Sequence, residues 1–142
     1  MKFTIYGLRI ASTGQVISIG QTMQDLRRRL AKHIERSRQL FDRVTGSKEQ
    51  GVAIVEILLH GKIADVYHRG STYGDKAQAI VTLLDMGEHI EIFEVERVEA
   101  QPCYNSGGAC IMPLEVFERE RYWQNRYLTM YDRPMFLNGM LV

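Results

Sequence analysis

A glutamate in the middle of an apolar helix face is the first residue here that demands a chemical explanation. A helix opening at Pro113 and running to about Tyr131, before Pro134 forbids extension, puts Val116, Trp123, Tyr127 and Met130 on one narrow face, with Glu120 among them. Left unpaired, such a carboxylate would cost several kcal/mol. It is therefore neutralised, paired with a cation, or placed in a cleft that holds a metal; a structural salt bridge with an arginine is the competing explanation. A second anomaly lies earlier, where Arg29, His33 and Arg36 recur at i, i+4 and i+7 along the edge of another apolar stripe. Arginine grips phosphate oxygens bidentately and stays charged, and histidine exchanges protons near neutral pH. A solvated basic helix is the alternative and describes Arg27, Arg28 and Arg38 well.

The elements that must position these groups follow from periodicity. Lys2 to Arg9 alternates and is rich in β-formers, ASTGQ reads as a turn, and Val16 to Gly20 is a second strand, so the chain opens with a hairpin. Thr22 with Asp25 forms a capping-box-like start to a helix reaching about Phe41, with Met23, Leu26, Leu30, Ile34 and Phe41 as its apolar stripe. Val44 to Gln50 reads as a polar loop. At an offset of 26, Ala53, Ile54, Val55, Leu58 and Gly61 recur as Ala79, Ile80, Val81, Leu84 and Gly87. Each copy reads as helix, glycine stop, strand: AIVEILLHG then KIADVYH, and AIVTLLDMG then EHIEIFEVE. Ala100 to Met112 reads as a loop, and the apolar tail RPMFLNGMLV is expected to fold back on the core.

The order of these pieces resembles the GIY-YIG nuclease family. Thr4-Ile5-Tyr6 stands where the family has Gly-Ile-Tyr, and Ser18-Ile19-Gly20 where it has Tyr-Ile-Gly. Arg29-Leu30-Ala31-Lys32-His33 follows as its Arg-x-x-x-His, Glu120 with Trp123 as its Glu-x-x-Trp helix, and Phe136-Leu137-Asn138 as its closing Leu-Asn. The resemblance implies a small α/β (α+β) fold: a three-stranded antiparallel sheet flanked by helices, here with an inserted helix-strand unit at about 51–69. It implies cleavage of DNA, duplex or branched, with one magnesium or manganese ion. Glu120 would be the sole protein ligand of the metal, Arg29 would stabilise the phosphate with His33 beside it, and Tyr6 would act as general base or position the water. Ser18, Gly20 and Asn138 would support the site, and Arg28, Lys32 and Arg36 would hold the nucleic-acid backbone. A single carboxylate suits magnesium, which keeps most of its waters. A phenol of ordinary pKa, about 10, is a poor base at neutral pH. Ser18 removes a phenol from the expected cleft, which keeps a binding-only module as the alternative function. The spacing from Gly20 to Arg29 is one residue longer than usual, so an inward Arg28 would displace the expected site.

Composition sets the bounds. With 142 residues, 45% hydrophobic and 25% charged, the chain has the balance of one globular domain spanning 1–142. No segment approaches the roughly 18 apolar residues of a membrane span, and MKFTIYGLRI lacks a signal-peptide core, so no membrane and a cytoplasmic location are expected. The net charge of +1 means that a nucleic-acid surface must come from local clustering, as between Arg27 and Arg43. Cys103 and Cys110 are too few for a disulfide framework. His60, His68 and His89 lack ligand spacing, and NSGG near Cys103 lacks the lysine of a phosphate cradle. The inserted unit could serve as a homodimer surface, add a strand or widen the substrate track.

Overall fold

The computed structural model describes residues 1–60, 75–101 and 103–128, without the side chains of Cys110 and Leu128. The expected strand over 62–68, His68, the helix end near Tyr131, the apolar tail and Asn138 lie outside them.

The alternating start forms β1 (Lys2–Ile10), which turns through Gly14 (φ 75°) into β2 (Val16–Thr22). The pair is antiparallel, with Tyr6 opposite Gly20 and Leu8 opposite Ser18, and a bulge follows at Leu8/Arg9. Helices α1 (Leu26–Arg43), α2 (Ser47–His60) and α3 (Asp75–Asp85) come next. Strand β3 (Ile90–Glu99) returns antiparallel to the other side of β1, giving the order β2-β1-β3. A short hairpin, β4 (Cys103–Tyr104) and β5 (Cys110–Ile111), precedes α4 (Leu114–Leu128). Among the described residues the main sheet is thus three-stranded and antiparallel, with four helices, a small α/β fold of the class expected.

As the central strand, β1 is buried on both faces, and its alternation divides the core in two. Tyr6, Leu8 and Ile10 pack with Ile54, Leu58, Ile80 and Leu83 of α2 and α3, with Leu26 and Leu30 of α1 against them. Phe3 and Ile5 pack with Ile19, Val98 and Val116, and Trp123 and Tyr127 close that side from α4. Truncating a fully buried member such as Leu8 or Ile10 to alanine costs about 2–5 kcal/mol. The edge strand β3 carries Glu91, Glu94, Glu96 and Glu99, charges that discourage pairing with another chain.

Several boundaries differ from the sequence expectations. Asp25, not Thr22, caps α1: its side chain accepts from the Arg28 backbone N–H at 3.2 Å. Thr22 ends β2 and turns its hydroxyl to the Gln24 N–H, which leaves Met23 exposed between the elements rather than on the helix stripe. The expected polar loop is helical from Ser47, so α2 is longer than the repeat implies. Ser47 and Gly51 are buried, and Gly51 meets the Gln78 carbonyl and Thr82 so closely that a Cβ would collide, so α2 and α3 approach through that point. The second repeat ends as expected. Gly87 at φ 86° donates to the Leu84 carbonyl and Glu88 to that of Leu83, the paired bonds of a Schellman cap that turns the chain into β3. Among the described residues no helix is long and apolar enough to cross a membrane.

Candidate functional site

Tyr6 points from the central strand toward α1 and is 2% exposed. Its phenol occupies the space left by Gly20: a Cβ there would lie 2.6 Å from the Tyr6 Oη. The Oη is 2.7 Å from Nε2 of His33 and receives the Nε–H of Arg29 at 3.1 Å. Because Arg29 supplies that hydrogen, the phenolic proton is free to go to His33, whose Nε2 accepts it when the ring proton sits on Nδ1. The two rings meet edge to face, with centroids 5.8 Å apart.

Capping by Asp25 sets the helix register that makes this possible. Arg29 and His33 come to the inner side of α1 while Arg28 is exposed, so the longer spacing after Gly20 is absorbed by β2 running on to Thr22. Lys32 and Arg36 are exposed on the same helix, and the charge of Arg36 reaches His33. Ser18 lies buried opposite Leu8, two register positions along from the Tyr6–Gly20 pair.

The fourth expected residue comes from α4. Trp123 donates its indole N–H to Glu96 at 2.7 Å, and Arg119 grips the same carboxylate through Nε and Nη2, which fixes α4 against β3. Glu120, between them, is half-buried, and its charge acts on Tyr6. Its Oε1 receives Gln124 Nε2 at 3.2 Å, and that amide also donates to the Ile19 carbonyl at 3.3 Å. No ion pair joins Glu120 to an arginine among the described residues.

Electrostatics in the cluster follow from burial. Burial raises the Tyr6 pKa above 10.0 against the opposing pull of Arg29, so the group is a neutral phenol at neutral pH. Burial, then the charges of Lys76, Arg29 and Arg36, pushes His33 down to about 3, leaving a neutral ring able to accept a proton. Burial also raises Glu120, against the hydrogen bond from Gln124 and the charges of Arg121 and Lys76.

Two residues escaped the sequence reading. Lys76, in the first turn of α3, is half-buried and its charge reaches Arg29, His33 and Glu120. No periodic signal marks it, because its helix begins ahead of the repeat. Gln124 is 1% exposed, and its place at i+4 from Glu120 on the apolar face was a usable signal.

As a metal site, the arrangement offers one carboxylate, and no cluster of three or more His, Cys, Asp or Glu side chains occurs among the described residues. The donor set fits a hard cation held chiefly by water and phosphate oxygens. Oε1 of Gln124 fits too: it is buried without a partner among the described residues, and a hydrated cation beside Glu120 would supply the donor it lacks.

No family model, no curated protein and no solved structure matches this chain.

Proposed function

We propose that the chain is a metal-dependent endonuclease that hydrolyses DNA phosphodiester bonds, as its resemblance to the GIY-YIG nucleases implies. The observation that carries this reading is the hydrogen-bonded run Arg29–Tyr6–His33 with Glu120 acting on the same phenol. Arg29 spends only its Nε on Tyr6 among the described residues, so its two Nη groups remain for phosphate oxygens.

In the reaction, a water oxygen bonds to phosphorus and the bond to the leaving sugar oxygen breaks. As the water loses a proton to the Tyr6 oxygen, the phenolic proton passes to Nε2 of His33, so the phenol never has to exist as a free phenolate. An arriving phosphate offsets the cations that hold His33 down, which raises its basicity when it is needed. The leaving oxygen takes its proton from solvent. Magnesium or manganese held by Glu120 would supply Lewis acidity at the phosphate. The exposed Arg28, Lys32 and Arg36 on α1 offer the DNA backbone a basic track.

The competing reading is a catalytically weakened nucleic-acid-binding module, and the observation in its favour is the buried Ser18 where the family has a second tyrosine. Supercoiled plasmid with magnesium, then manganese, separates the two. Nicking or linearisation that is lost in Glu120→Ala and Arg29→Ala, with both variants folded, is the expected result. Salt-sensitive DNA binding by a wild type that cuts neither duplex nor branched DNA overturns it.

A further inference from the structure

Lys76 has no part in the steps above, yet its position relative to α1 is fixed. Arg38 Nη1 lies 3.7 Å from Asp85 Oδ1, so α1 and α3 meet at their C-terminal halves. Nine residues earlier on each helix stand Arg29 and Lys76, an equal axial distance back at about 1.5 Å per residue. The charge of Lys76 acts on Arg29 and on His33, as helices running side by side in one direction require. The first turn of α3 therefore stands beside the Tyr6–His33 pair.

Lys76 makes no ion pair or hydrogen bond with any described residue. Lys76 is half-buried between buried neighbours, Asp75 and Ala77, and its ammonium is partly desolvated, with no counter-ion bonded to it among the described residues. A partly desolvated cation in that state is costly unless an anion completes it. Glu120 supplies one negative charge within electrostatic reach, against Arg29 and Lys76 together, while His33 is neutral. The cluster has a positive excess, and the donors left without a partner among the described residues are the Nη groups of Arg29 and the ammonium of Lys76.

We propose that Lys76 is a second phosphate-contacting residue of this site, binding a non-bridging oxygen of the nucleic-acid backbone opposite the Arg29 fork. The assignment rests on the nuclease reading for the identity of its anion. It makes α3, backed by α2 through the close approach at Gly51, part of the substrate-binding surface. A lysine serves here as a point charge, whereas Arg29 fixes orientation.

Two assays on wild type, Lys76→Met and Lys76→Arg test this. In EDTA, where no cleavage occurs, binding of a short DNA duplex is followed across a salt series. Lys76→Met is expected to bind about tenfold more weakly, with a salt slope lower by about one, and Lys76→Arg to recover most of both. With magnesium, single-turnover cleavage by Lys76→Met is expected to fall about 10²–10³-fold, while its melting temperature stays at or above that of wild type. Equal affinity and equal salt slope in wild type and Lys76→Met overturn the assignment. So does a Met variant that melts lower and binds normally, which is the behaviour of a structural partner of Glu120. A wild type that binds duplex but cuts no DNA defeats the nuclease reading alone, since the salt series still decides the contact; one that binds no DNA defeats both.

Discussion

Gly20 and Tyr6 face each other across the β1–β2 pair, and the phenol fills the volume that any side chain at residue 20 would need. Replacing Gly20 with alanine must push the Tyr6 oxygen away from His33 or spread the strands. Gly20→Ala is expected to lose about 1–3 kcal/mol of stability by overpacking and to cut cleavage at least as severely as removal of the phenol. Thermal melting beside single-turnover cleavage measures both.

Tyr6→Phe keeps the ring in the core and deletes only the oxygen that joins Arg29 to His33. Stability is expected to change by about 1–3 kcal/mol, the cost of leaving partly buried partners unmatched, while cleavage falls about 10²–10⁴-fold. If the rate is unchanged at every pH, the proton path through Tyr6 is wrong.

Acid should destabilise the fold through His33. Its ring takes a proton at 6.5 when free and at about 3 in the fold. Between those values the unfolded chain binds more protons, so stability is retained above about 6.5 and lost as pH falls toward 3. At pH 5 the loss from this one group is about 2 kcal/mol. Chemical denaturation of wild type and His33→Gln at pH 7 and pH 5 should show that part of the pH dependence only in wild type.

How much of this was legible in the sequence depends on the kind of signal each residue carries. Glu120 announced itself because a charge on an apolar stripe violates a period, and Arg29 and His33 because they lie at the stripe's edge. The choice of Arg29 over Arg28 rests on the stripe alone, because the register that settles it depends on where β2 stops and which residue caps α1. The capping-box reading opens the helix at Thr22, and the extra pairing of β2 through Thr22 moves the cap to Asp25. The helix from Ser47 was hidden because its first turn, Ser-Lys-Glu-Gln, is polar, and burial of Ser47 and Gly51 arises only from packing. Lys76 was invisible for the same reason: its neighbours come from α1 and α4, far away in the chain.

Glu120→Gln removes a carboxylate that burial disfavours and retains the shape and the contact with Gln124. The variant is expected to melt at or above the wild-type temperature while losing cleavage, the exchange typical of a strained functional group. Calorimetric titration with manganese should show saturable binding in wild type that disappears in the variant. Persistent binding would place the metal elsewhere.

Exposed cations on α1 should behave differently from Lys76. Arg28→Ala or Lys32→Ala is expected to leave stability within about 0.5 kcal/mol and to weaken DNA binding uniformly across sequences, each lowering the salt slope by about one. A change in stability without a change in slope would return these residues to an ordinary solvated face.

The glutamates of β3 are matched by cations at short range, so the excess positive charge on α1 gives the molecule an electrical polarity that its net charge of +1 conceals. Helix α1 carries seven basic residues against two acidic ones, whereas each of the four glutamates of β3 is paired with a cation: Arg9, Arg97, Arg119 or the N-terminus. A polyanion within a Debye length, about 8 Å at physiological ionic strength, is drawn to the α1 side and finds no comparable attraction at β3. On the nuclease reading, the resulting torque turns the α1 side forward before any contact forms, so added salt would slow productive encounter by removing orientation as well as attraction.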